Sequence, residues 1–389
     1  VSASGRHAED LGFAEEVPVK IGQRLTTYTL DCMRKRSYHT PARIWLFLLS
    51  MVSWIYYSLV KLRGSGYALG IMPRRKLPVP VISVGNITLG GSGKTPLVEK
   101  IAKVLCAEQK RVAILTRGYK GSSEGETLLV SDGVRLLAGV KEAGDEAFML
   151  AMNLPSAAVV VGKDRFRSGM LAIRDLSVEA LILDDGFQHL ALQRDLDVVL
   201  IDAKEPFGHG HLFPRGLLRE PPTALSRAHL IVITQGADCC DPNGIRESVR
   251  RYNRRAPIFT GKRRPLFLVA VPEGTRRELE EIRGKRCVAI SGIASPSSFL
   301  ALLLSLGAEV IRSFSFPDHY PYTRQELREI AGEAQGAGAH FILTTEKDAV
   351  RIPPDLFPWP VPLLYLRVEI ELSDDAGFFS LLKRGARLS

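Results

Sequence analysis

One stretch confines the fold of this chain more tightly than any other: residues 81–105 read VISVGNITLGGSGKTPLVEKIAKVL. A Val/Ile-rich strand pattern enters the turn Gly90-Gly91-Ser92-Gly93, passes through Lys94-Thr95 and becomes an amphipathic helical pattern. Glycine-rich turns let consecutive backbone N–H groups converge on phosphate oxygens, and the helix N-terminus adds partial positive charge. The lysine of such a loop reaches the β/γ-phosphates and the next hydroxyl holds Mg2+, roles that fall here to Lys94 and Thr95. The first position of G-x-x-x-x-G-K-[ST] is Thr88 rather than glycine. The strand-turn-helix context carries the phosphate-loop reading against that of a structural glycine turn.

A phosphate loop needs an acid at the end of a neighbouring buried strand. Ala180–Leu183, followed by Asp184-Asp185 about 90 residues after Lys94, supplies it. Asp202, ending VVLIDA, is a weaker candidate, since strand-terminal Asp is common in turns. Transfer of a phosphoryl group to an alcohol also needs a base. Asp145, in Gly144-Asp145-Glu146, reads by itself as a first-turn helix acid. His319 reads as a lone loop histidine. Spacing alone nominates neither.

Around this motif, short apolar β-branched runs alternate with helical patterns, the βαβ texture of a mostly parallel sheet. Strands are expected at 79–84, 112–115, 158–161, 180–183, 198–201 and 230–233. After a basic, Pro/Asn-rich passage the pattern resumes, with strands at 287–290, 309–314 and 340–344 and helices at 297–306 and 324–335. The expected architecture is α/β: a P-loop NTPase-like core over 77–240, a linker over 241–270 and a smaller α/β domain over 271–389. The basic stretch Arg250–Arg264 reads as a solvated linker, with a second lipid-surface contact as the alternative. The five cysteines show no CxxC pair, so neither a disulfide framework nor a zinc knuckle is expected.

Charge singles out the N-terminal part. The chain carries 52 Lys/Arg against 42 Asp/Glu, yet residues 33–98 hold ten cations and no acid, so the rest is neutral and no nucleic-acid surface is expected. Nine of those cations bracket Ile44–Val60, IWLFLLSMVSWIYYSLV. Basic-flanked apolar segments are drawn to anionic lipid, at about 1 kcal/mol per cation near the headgroups. As a helix the run is about 25 Å long, short of the ~30 Å hydrocarbon core. An interfacial or partly inserted helix is expected over 42–76, with a single span or a buried core helix as alternatives. Residues 1–41 read as a disordered extension, with Met33 as an alternative start.

Together these residues form a resemblance. NITLGGSGKTP, TRGY (116–119), GDE (144–146), DDGFQH (184–189), LREP (218–221), FPDHYPY (316–322) and TEKDA (345–349) occur in the order found in the tetraacyldisaccharide 4'-kinases of lipid A biosynthesis. The likeness runs from about residue 42 to about 370. It implies an enzyme at the cytoplasmic face of the bacterial inner membrane that moves the γ-phosphate of ATP to the 4'-hydroxyl of tetraacyldisaccharide 1-phosphate. By the family pattern Asp145 is the base, His319 its partner across the domain cleft, and Asp318 the support of that histidine. Asp184 and Asp185 match Mg2+-associated acids; Gln188 and Glu220 match nucleotide- or metal-side positions. Arg117, Tyr119, Arg219 and Lys347 lie in family motifs without individual roles. A membrane-recruited GTPase switch is the competing class, but residues 233–238, ITQGAD, lack its Asn-Lys pair.

Overall fold

The computed structural model describes residues 28–29, 32–33, 40–91, 93–122, 125–235 and 242–388. They divide into two compact units, one lying within 22–264 and 369–388, the other within 265–368. The expected extension over 1–41, the Ser92 position and residues 236–238 fall largely or wholly outside the described residues.

The first unit is built on β1 (Val81–Asn86), β2 (Val112–Thr116), β3 (Leu128–Asp132), β4 (Ala158–Val161), β5 (Ala180–Asp184), β6 (Leu196–Asp202) and β7 (Leu230–Gln235), with the start of β8 (Ile258–Val271). Their order is β8-β7-β6-β1-β5-β2-β4-β3. The neighbouring pairs are parallel except β3 with β4. Strands buried on both faces must be apolar throughout, and β1, β2, β4 and β5 are buried at every position. Helices α2 (Lys94–Ala107), α3 (Val140–Ala143), α4 (Asp145–Asn153), α5 (Arg165–Leu176) and α6 (Pro242–Arg250) connect them. In parallel sheets of this kind ligands bind outside the carboxyl ends of the strands, where the glycine turn follows β1 and Asp184-Asp185 closes β5.

The second unit carries β9 (Arg276–Arg277), β10 (Arg286–Ser291), α7 (Pro296–Ser305), β11 (Glu309–Ser315), α8 (Arg324–Gly336), β12 (Phe341–Thr345), the single-turn α9 (Glu346–Ala349) and most of β13 (Leu363–Leu372). β10 pairs in parallel with β11 and β12, and β12 with β13. β9 forms an antiparallel pair with the end of β8.

Two departures from the sequence reading concern its boundaries. The stretch expected as a linker over 241–270 holds α6 and most of the 14-residue β8. In β8 the exposed Lys262-Arg263-Arg264 interrupts two buried ends, so the charge run conceals a strand. The chain also does not stay in the second unit after 271. It returns along β13 to α10 (Asp375–Ala386), where Phe378, Phe379, Leu382, Ala386 and Leu388 share one buried cluster with Leu97, Ile101 and Leu105 of α2.

The apolar N-terminal run forms α1 (Thr40–Ala68), which starts two residues before the expected 42 and ends short of the expected 76, and is long and apolar enough by length and composition to cross a membrane. One face docks on the first unit. Ser53 Oγ donates to the Leu212 carbonyl at 2.9 Å and accepts from the Arg215 N–H at 3.0 Å. The Tyr56 hydroxyl donates to the Arg219 carbonyl at 2.8 Å, and Arg63 to the Gln188 carbonyl at 3.2 Å. The opposite face is bare: Phe47, Met51, Trp54, Ile55, Leu59 and Leu62 are each more than half exposed. This excludes the buried-core alternative.

Two stability predictions follow from this packing. Phe378 is fully buried, edge-to-face with both Phe259 and Phe379 at 5.3 Å. Phe378→Ala should cost about 3–5 kcal/mol by chemical denaturation; a loss below 1 kcal/mol would mean that α10 does not hold the core. Burial, helped by Arg165 and Arg194, lowers the His189 pKa to about 4. The unfolded imidazole protonates near 6.5 and the folded one only near 4, so this group's contribution is present above 6.5 and drains away as pH falls between those values. The urea midpoint should therefore drop more steeply from pH 7 to pH 5 in the parent than in His189→Gln; parallel profiles would refute this.

Candidate active site

The glycine turn leaves β1 at Asn86, and Gly93 stands at the N-cap of α2 with φ of 82°, a left-handed conformation that a residue bearing a Cβ adopts only under strain. Lys94 and Thr95 therefore open the helix. The Asp184-Asp185 turn is drawn against the same strand end: a Cβ on Gly85 would lie 2.6 Å from the Phe187 Cβ. Gln188 Nε2 donates to the Asn86 carbonyl at 2.8 Å. Beside it runs the segment before LREP, with the Leu89 N–H donating to the Leu217 carbonyl at 2.7 Å and Arg219 N–H to the Ile87 carbonyl at 2.8 Å. Thr88, buried, forms an isolated bridge to Leu218.

Charges converge on Asp185. Lys94 Nζ stands 3.5 Å from its Oδ1, and Arg219 donates to Oδ2 at 2.7 Å. Burial pushes the Asp185 carboxyl up, but Lys94 and Arg219 outweigh it and leave the pKa below the ordinary carboxylate range. Asp184 goes the other way. Burial, reinforced by Glu146 and Asp185, lifts it to about 7 against the pull of Lys94 and Arg165. The adjacent carboxyls are thus driven in opposite directions: Asp185 is ion-paired, and Asp184 is crowded by like charge. Glu220, also buried, pairs with Arg227, whose guanidinium lies over the Phe187 ring at 4.4 Å.

Asp145 begins α4, is 7% exposed and accepts from the Glu146 N–H at 3.0 Å. It thus lies in the first unit with Lys94, Thr95 and the two aspartates. His319 belongs to the second unit, in the turn after β11, with φ of 57°. Its Nε2 is 2.9 Å from Lys347 Nζ, and the same ammonium is 3.2 Å from Asp318 Oδ1. Asp318 itself is 3.9 Å from Nε2. Lys347 thus lies nearer the His319 ring than Asp318, the residue the family pattern names, and contacts both. The turn is anchored beneath by fully buried Asp348, which accepts from the Gly292 N–H at 3.1 Å and the Tyr322 hydroxyl at 2.8 Å.

Sequence reasoning assigned no role to Arg219, Glu146, Arg165 or Lys347. The signal for Lys347 was available: Thr345 caps the one-turn α9, so TEKDA fixes Lys347 and Asp348 on one short helix.

The donor set suits Mg2+. Such an ion takes one or two protein carboxylates with substrate phosphates rather than a full protein cage, and among the described residues no group of three or more His, Cys, Asp or Glu forms such a cage. Buried acceptors stand ready near the loop: Asp184 is crowded by acids, and Gln188 Oε1 is buried without a hydrogen-bond partner.

Comparison with known proteins agrees. The family model described as Tetraacyldisaccharide-1-P 4'-kinase matches residues 45–387. A tetraacyldisaccharide 4'-kinase of Geobacter metallireducens is 43% identical over 316 residues, covering 81% of this chain and 90% of that protein. One from Halothermothrix orenii is 37% identical over 378 residues, covering 93% and 98%. The crystal structure of LpxK from Aquifex aeolicus in complex with ATP has a TM-score of 0.70 and 34% identity, covering 86% of this chain and 97% of that one. Matched over most of its length by sequence and by fold, the chain belongs to the tetraacyldisaccharide-1-P 4'-kinase family.

Proposed function

We propose that this lipid A 4'-kinase moves the γ-phosphate of ATP to the 4'-hydroxyl of tetraacyldisaccharide 1-phosphate from a glycine turn held beside Asp184 and Asp185. The observation that carries the reading is the ion pair between Lys94 and Asp185, which keeps the lysine at the mouth of the turn. In the transfer the acceptor oxygen forms a bond to the γ-phosphorus as the bond to the β–γ bridging oxygen breaks and ADP departs. The hydroxyl proton passes to the Asp145 carboxylate. His319 is the second residue proposed for this proton transfer, oriented by Lys347. Thr95 and Asp184, with Gln188 Oε1 beside them, would hold Mg2+; when bound, the ion neutralises charge on the phosphate oxygens. Glu220, fixed by Arg227, supports the nucleotide side.

A tetraacylated acceptor stays in its bilayer, so the enzyme must come to it. The bare face of α1 supports an interfacial helix at the cytoplasmic side of the inner membrane, where ATP is at hand. Ser53, Tyr56 and Arg63 tie successive turns of this helix to the first unit, which leaves that stretch no room to be ringed by lipid. An amphipathic helix in this setting lies in the headgroup plane.

Two outcomes test these assignments. Asp145→Ala and His319→Ala, assayed separately in detergent micelles with labelled ATP, should each lower kcat at least a hundredfold; near-parental activity in either removes that residue from the mechanism. Phe47→Glu/Ile55→Glu should abolish sedimentation with anionic vesicles and raise KM for the vesicle-borne acceptor. Unchanged sedimentation would sink the interfacial reading.

A further inference from the structure

The basic run in β8 has no part in the mechanism above, yet one of its members touches the phosphate loop. Arg263 is exposed, and its guanidinium donates to the Gly91 carbonyl at 2.9 Å. Its neighbours Lys262 and Arg264 are equally exposed, so burial does not account for the direction Arg263 takes. We infer that Arg263 is a positioning residue of the nucleotide site, holding the glycine turn in the conformation that receives phosphate.

The argument rests on the peptide plane. In a trans peptide the carbonyl and the N–H of one unit point to opposite sides. A phosphate cradle requires its N–H groups to face inward, so its carbonyls must face outward, and glycine offers no side chain to enforce that choice. A guanidinium bonded to the Gly91 carbonyl fixes the direction in which that carbonyl points. Arg263 thus orders the loop before nucleotide arrives, lowering the entropic cost of binding. A lysine in its place offers a compact charge without the planar fork and should serve less well. Because the turn cradles phosphates shared by ATP and ADP, both nucleotides should depend on Arg263 equally.

The inference depends on the glycine turn being the nucleotide cradle, and the experiment separates the two. Full-length protein in detergent micelles is titrated calorimetrically with MgATP and with MgADP, for the parent, R263A, R263Q, R263K and, as control, K94A. R263A and R263Q should weaken both nucleotides by the same factor, about tenfold, with R263K between them and the parent. KM for ATP should rise while KM for the acceptor and the melting temperature stay put, a split that general loss of structure would not produce. Affinities within twofold of the parent in R263A and R263Q, with K94A impaired, would overturn the role of Arg263 alone. A tenfold greater loss for ATP than for ADP would also overturn it, making Arg263 a γ-phosphate contact instead. Parental affinity in K94A would overturn the cradle and this inference together.

Discussion

The site of this protein depends on one partly exposed carboxylate shared by two cations. Asp185 lies between Lys94 and Arg219, and those three residues come from three separate stretches of chain: the start of α2, the end of β5 and the LREP segment. A carboxylate partly withdrawn from water gains from pairing, so the two cations tie these segments together alongside their packing. α1 joins the same arrangement, since Tyr56 binds the Arg219 carbonyl. α1 and the phosphate loop are thus linked through Arg219.

Much of this was legible from the residues, and the legible part has a common cause. The core strands of the first unit are uniformly apolar because both faces are covered, so β4 lies where the run of Val predicted it and β2 and β5 each extend one residue beyond. The glycine turn announced itself because backbone N–H convergence demands small residues in order. Elements with mixed faces were harder. β3, at the sheet edge and antiparallel, has three partly exposed positions of five, and its LLVSD carries no clean period. β8 hid behind Lys262-Arg263-Arg264. β13 and α10 were missed because they close the first unit from the far end of the chain, a long-range arrangement that no local pattern encodes.

Side-chain partnerships were less legible still. Asp184 and Asp185 are adjacent in sequence and alike in chemistry, yet their surroundings drive their pKa values in opposite directions. Nothing in the dipeptide says which is which; the difference arises from Glu146, Arg165, Lys94 and Arg219, brought in by four other segments. The same holds for His319, whose closest charged neighbour is Lys347 rather than the adjacent Asp318. Resemblance picked out the motifs, while geometry alone apportioned the contacts within them.

The return of the chain along β13 to α10 bears on biosynthesis. The helix that carries the phosphate loop shares its buried cluster with Phe378, Phe379 and Leu382, which follow it in the chain by about 270 residues. The first unit cannot reach its final packing until those residues have been made, whereas α1 emerges about 300 residues earlier. A nascent chain therefore presents the bare apolar face of α1 while the packing behind its phosphate loop is still unfinished.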